Sequence, residues 1–114
     1  MTFQSLNLPS YLIKSIESLS YKTPTEIQKE AIPHILESKD VIAEAQTGSG
    51  KTAAFSLPII KRLNDLPTRK SKKNIQVLVI TPTRELAVQV ASSFKKYANF
   101  LDLKLDFFDI YKSQ

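Results

Sequence analysis

Cysteine and tryptophan are absent from this chain of 114 residues, histidine and methionine occur once each, and glycine occurs twice. Without cysteine there is neither a disulfide framework nor a thiolate metal site, which agrees with a reducing compartment. His34, with no second histidine or cysteine to accompany it, reads as a surface residue and not as a catalyst. No apolar run is long enough to span a bilayer, and the start Met1-Thr2-Phe3-Gln4-Ser5 lacks the charged and apolar regions of a secretory leader. The expectation is a cytoplasmic protein. Average composition would give about eight glycines in this length, most of them at helix ends and turns. Here both glycines, Gly48 and Gly50, fall in one loop.

What the chain does contain is basic. Sixteen Lys and Arg against eleven Asp and Glu give a formal charge of +5, and the isoelectric point is near 9.5. Such a balance tolerates a polyanionic partner without requiring one. With 42% hydrophobic and 24% charged residues, the composition is that of one ordinary globular unit.

The loop that holds both glycines is Ala45-Gln46-Thr47-Gly48-Ser49-Gly50-Lys51-Thr52. It fits the phosphate-binding pattern G-x-x-x-x-G-K-[ST], with Ala45 in the place of the first glycine. A short apolar run, residues 40–45, precedes it as a candidate strand, and an apolar pattern of helical period begins at Lys51. Glycines let successive backbone N–H groups turn inward as an anion nest, and the helix start adds the positive end of its dipole. Lys51 would reach the outer phosphates of a nucleotide, and the Thr52 hydroxyl would join the shell of a Mg²⁺ held mostly by water and phosphate oxygens. The bland alternative, a Gly-Ser-Gly turn before a helix, explains neither the Lys-Thr pair nor the flanking strand. A small P-loop kinase would use the same eight residues.

Around the loop the elements alternate. Residues 9–19 place Leu12, Ile13, Ile16 and Leu19 on one helical face. Pro24 ends that region, and Thr25 with Gln28 forms a capping-box signature for a second helix carrying Ile27, Ala31, Ile32, Ile35 and Leu36. Gln28 therefore has two readings, a cap partner or an amide that reads a base. Pro33 is expected to kink or split this helix, and Pro58 to kink the one that runs from Thr52 to Leu63. The basic run 69–73 reads as a solvated loop. Residues 75–81 are the clearest strand, apolar and β-branched as in a parallel strand buried on both faces. Thr83 is a natural N-cap for a helix over 84–100 with Leu86, Val90, Phe94 and Tyr97 on one face, and residues 103–111 form a last strand. The order predicts an α/β fold.

Three segments now stand in sequence, and together they resemble the DEAD-box ATP-dependent RNA helicases. Tyr21-Lys22-Thr23-Pro24-Thr25-Glu26-Ile27-Gln28, with Phe3 upstream, is similar to the family's Q motif. Ala45 to Thr52 is similar to its motif I, alanine included, and Pro82-Thr83-Arg84-Glu85-Leu86-Ala87 to its motif Ia. The resemblance covers residues 3 to about 100. It implies a partial RecA-like P-loop domain, a parallel sheet flanked by helices, with a helical Q-motif region over 1–38 and the P-loop core over 39–114. It implies ATP and Mg²⁺ as cofactors, with Ala45, Gln46, Thr47, Gly48, Ser49, Gly50, Lys51 and Thr52 around the phosphates and Thr52 toward the metal. It favours the base-reading role for Gln28, with Phe3, Tyr21 and Thr23 shaping the adenine pocket, because an amide meets the adjacent donor and acceptor of adenine. It implies RNA as partner, held through its sugar-phosphate backbone by Pro82, Thr83 and Arg84. Two departures stand out: Ser20 replaces a family glycine, and Tyr21 a family phenylalanine.

The family's Gly-Gly, Thr-Pro-Gly-Arg, Asp-Glu-Ala-Asp and Ser-Ala-Thr motifs do not occur in the chain, nor does a second RecA-like domain with its arginine finger. The expectation is therefore a fragment with the phosphate cradle but without the groups that drive hydrolysis. A noncatalytic nucleotide- or nucleic-acid-binding fragment, or a product with no function of its own, is the competing reading.

Overall fold

A computed structural model of the chain describes residues 2–46, 48, 50–66, 76–99 and 101. A short 3₁₀ turn, Phe3–Leu6, leads into four α-helices: α1 (Ser10–Ser18), α2 (Glu26–Leu36), α3 (Lys51–Asp65) and α4 (Arg84–Tyr97). All four helices stand where the apolar periodicity puts them. Helix α3 packs against both α2 and α4, while α4 also meets α1. The core between them is built from Leu12 and Ile16 of α1, Ile32 of α2, Leu57 and Ile60 of α3, and Val90, Phe94 and Tyr97 of α4. Phe55 and Phe94 close the α3–α4 seam with ring centroids 6.2 Å apart.

Both serines that follow α1 and α2 adopt the left-handed backbone region, Ser20 at φ 65° and Ser38 at φ 66°. After α1 the Ser20 N–H reaches the Glu17 carbonyl at 3.0 Å and the Tyr21 N–H the Ile16 carbonyl at 3.1 Å. After α2 the Ser38 N–H reaches Ile35 at 2.9 Å and the Lys39 N–H reaches His34 at 3.0 Å. These paired bonds are Schellman motifs, whose left-handed position usually holds glycine. Ser20 thus keeps the turn despite the replaced glycine.

Of the two outcomes expected at Pro33, a split of α2 does not occur, and α3 runs through Pro58 as one helix. Each proline removes one N–H donor, but the apolar faces on both sides of it are packed, and that burial holds the helices continuous. Leu86, placed on the buried face of α4 by its spacing, is 38% exposed, because α4 enters the core through its second half. The candidate strands 40–45 and 75–81 are not paired into a sheet among the described residues. A strand is defined by its ladder with a neighbour, and here Ile42, Leu78 and Ile80 stand exposed, Ile42 completely. The basic run 69–73 and the last strand 103–111 lie outside the described residues.

Candidate functional site

Helix α3 starts differently from α2 and α4, although α1, entered from Pro9, also lacks a capping side chain and a first-turn carboxylate. Helix α2 is capped by Thr25 and carries Glu26 in its first turn, while α4 is capped by Thr83, whose Oγ1 accepts from the Leu86 N–H at 3.1 Å, and carries Glu85. Helix α3 begins at Gly50, in the left-handed region at φ 87°, with no capping side chain and no carboxylate in its first turn. Its opening N–H donors and the positive end of its dipole are left facing the loop. Lys51 is exposed and Thr52 half-buried at this start. Gly48 is exposed with φ 83°, a second left-handed position that favours glycine. Ala45 is half-buried and Gln46 exposed, whereas Thr47 and Ser49 lie outside the described residues.

Gln28 joins the helical region to this loop. Its side chain is 3% exposed, and its Oε1 accepts from the Thr25 backbone N–H at 3.0 Å, one half of the capping box. Its Nε2 donates to the Gly50 carbonyl at 3.1 Å. The same carbonyl accepts the first helical bond of α3 from the Ala54 N–H, also at 3.1 Å. The approach is close: a Cβ at position 50 would run into Gln28 Nε2 and stand 3.0 Å from Thr25 Oγ1, so the Gln28 amide would have to shift. Gly50 is therefore favoured by its φ, and any larger residue there would also displace the amide lying against it. The cap reading of Gln28 is observed, and the contact with Gly50 is one that local pattern does not reveal.

Two cavities border residues that the sequence places in the site, the first beside Thr25 and Ala45 and the second beside Phe3 and Tyr21. One of about 240 Å³ is lined by Thr25, Glu26, Ile27, Glu30, Glu44 and Ala45. The other, about 400 Å³, is lined by residues that include Phe3, Ser20, Tyr21 and Lys22. Phe3 is 4% exposed and belongs to the core, so it shapes its cavity by packing. Tyr21 is 39% exposed, and its hydroxyl lies 3.3 Å from that of Tyr97. Sequence reasoning placed Tyr97 in the core and missed this pairing, since nothing local links residues 76 positions apart. Thr23 is exposed in the coil before α2. At the start of α4, Pro82, Thr83 and Arg84 are exposed, and the Thr81 hydroxyl donates to the Thr83 carbonyl at 2.7 Å.

Comparison with known proteins bears on what this arrangement is. Residues 25–114 match the family described as DEAD/DEAH box helicase. The chain belongs to that family. It is 48% identical over 101 residues to the ATP-dependent RNA helicase DeaD of Haemophilus influenzae, covering 86% of this chain and 16% of the relative. It is 50% identical over 103 residues to DEAD-box ATP-dependent RNA helicase 28 of Arabidopsis thaliana, covering 90% of this chain and 13% of that protein. The crystal structure of the RNA-helicase Prp28 from Chaetomium thermophilum bound to ADP superposes with a TM-score of 0.79 at 33% identity. That match covers 97% of this chain and 28% of the other. A DEAD box protein from Methanococcus jannaschii gives a TM-score of 0.77 at 33% identity, covering 98% of this chain and 31% of that one. This DEAD/DEAH box helicase chain thus spans about a sixth of the curated relatives' length.

Proposed function

We propose that this chain is the ATP-binding and RNA-backbone-contacting part of an ATP-dependent RNA helicase. The observation that carries the proposal is the start of α3, where Gly50 is held at φ 87° by Gln28 and the first turn has no cap or carboxylate of its own. Among the described residues no capping side chain occupies that start, which leaves it suited to an anion. Lys51, exposed beside it, supplies a point charge for the outer phosphates. No group of three or more His, Cys, Asp or Glu able to hold a metal occurs among the described residues. Thr52, half-buried at the start of α3, would hold a Mg²⁺ brought by the nucleotide, whose other ligands would be phosphate oxygens and water. When bound, the ion would neutralise charge on the phosphates.

Adenine selectivity falls to Gln28. Among the described residues its bonds to Thr25 and Gly50 use one acceptor site of Oε1 and one hydrogen of Nε2, which leaves one further acceptor site and one further donor hydrogen on the amide. That is the pair an adenine edge requires. Thr23, Tyr21 and Phe3 complete the base side. At α4, Thr83 and Arg84 contact an RNA backbone at a helix start, which positions the strand without reading its sequence. Segments 40–45 and 75–81 form strands of a parallel sheet when the rest of a helicase domain flanks them, and the cytoplasm is the site of action. Phosphoryl transfer also needs groups that hold the metal and orient the attacking water, and to the 114-residue chain by itself we assign nucleotide binding without hydrolysis.

Calorimetric titration with MgATP tests this reading. The wild-type chain should bind, Lys51→Ala should lose at least about tenfold in affinity, as expected of a charge-assisted contact, and RNA-stimulated ATPase should not exceed that of Lys51→Ala. Hydrolysis clearly above that control would sink the noncatalytic assignment. For the RNA contact, Arg84→Ala should weaken binding equally for unrelated single strands and lower the salt slope by about 0.7.

A further inference from the structure

Tyr97 and Tyr21 meet across the molecule, and neither the phosphate loop nor the RNA contact accounts for the pair. Tyr97 is 4% exposed at the packed end of α4. Tyr21 follows the Schellman turn of α1, with its backbone tied to Ile16 and its ring at the edge of the 400 Å³ cavity. The two rings stand edge to face, centroids 6.2 Å apart and planes at 65°, and their hydroxyls are 3.3 Å apart. We infer that Tyr97 is a positioning residue for the nucleotide: it holds the Tyr21 ring in the orientation that flanks the base. The inference rests on the reading of this region as an adenine-nucleotide site.

The physical reason lies in unequal burial. Turning Tyr21 away would leave the Tyr97 hydroxyl inside the core without this partner, and an unpaired buried hydroxyl is unfavourable. The core residue therefore biases the surface one. Burial first, and then the Tyr21 hydroxyl, push the Tyr97 phenol above its ordinary ionisation range, in keeping with a desolvated, paired hydroxyl. A phenylalanine at position 21, the residue expected from the family resemblance, would keep the ring contact and lose the hydroxyl link.

Two ligands separate positioning from mere stability. MgATP carries a base, whereas magnesium tripolyphosphate engages only the phosphate loop. In the 114-residue chain, Tyr97→Phe should weaken MgATP about three- to tenfold, the range of one hydrogen bond, and leave tripolyphosphate unchanged. Tyr21→Phe should match it, and the double variant should lose no more than either single one. Equal losses for both ligands, or no loss of MgATP affinity, would overturn the inference. The link itself is read without nucleotide: in protein carrying ¹³Cζ-tyrosine, Tyr21→Phe should shift the Tyr97 signal, and an unmoved signal refutes the pairing. A shifted signal in a wild-type chain that binds no MgATP would instead refute the nucleotide reading, and the inference with it.

Discussion

Gly48 and Gly50 both sit at positive φ, but their surroundings separate them. A Cβ at Gly48 meets nothing within 4 Å, whereas one at Gly50 runs into Gln28 and Thr25. Gly48→Ala should therefore cost only the left-handed backbone penalty, about 1–2 kcal/mol. Gly50→Ala should exceed it by about 1 kcal/mol or more through displacement of the amide. Urea midpoints without nucleotide measure both, and equal values would contradict the close approach. Gln28 shows how far a local pattern reaches. The Thr25–Gln28 spacing announces the capping box, and the box is formed. Its contact with Gly50 was not legible, because the partner lies 22 residues away and the bond exists only once α2 and α3 pack. Gln28→Ala should consequently destabilise the nucleotide-free chain by about 1 kcal/mol, the typical worth of a cap. A loss of ATP affinity in that variant has to be compared with its stability before it is credited to the base.

At the scale of elements, the helices end in ways that follow from how little glycine the chain has. With both glycines in the phosphate loop, Ser20 and Ser38 occupy the left-handed positions after α1 and α2. Ser20→Gly should raise stability by about 0.5–1 kcal/mol, since relief of left-handed strain outweighs the added freedom of the unfolded chain, and Ser38→Gly should gain less because it also removes the hydroxyl that accepts from Arg62. A fall in the thermal midpoint of either variant would show that the serine side chain compensates for the strain. The prolines make a second contrast. Pro33 is half-buried in α2 and leaves the Lys29 carbonyl without its helical donor, so Pro33→Ala should stabilise the chain by about 1 kcal/mol or more. Pro58 is fully buried in α3, and its replacement forfeits packing that offsets the regained hydrogen bond. Sequence shows that a proline interrupts the ladder. Whether the helix breaks depends on the packing to either side of it.

Across the whole molecule, the helices bury their apolar faces against one another while segments 41–46 and 76–81 leave theirs exposed, with Leu78 at 70% and Ile80 at 84%. Amides of 76–81 should exchange faster than those in the middle of α3, where backbone bonds are helical and Leu57 and Ile60 are buried. Comparable protection would mean that these residues have found a ladder partner. The family, the four helices, the caps at Thr25 and Thr83 and the phosphate-loop pattern all follow from sequence alone. They depend on spacing within about eight residues, and a 3.6-residue period, a cap or a glycine-rich turn is a local property. Tertiary structure alone decided that Gln28 is seated on Gly50, that Tyr97 backs Tyr21, that Leu86 faces outward and that neither proline breaks its helix. Each of these depends on which surfaces meet, and no local spacing encodes the contact between residues 28 and 50 or 21 and 97.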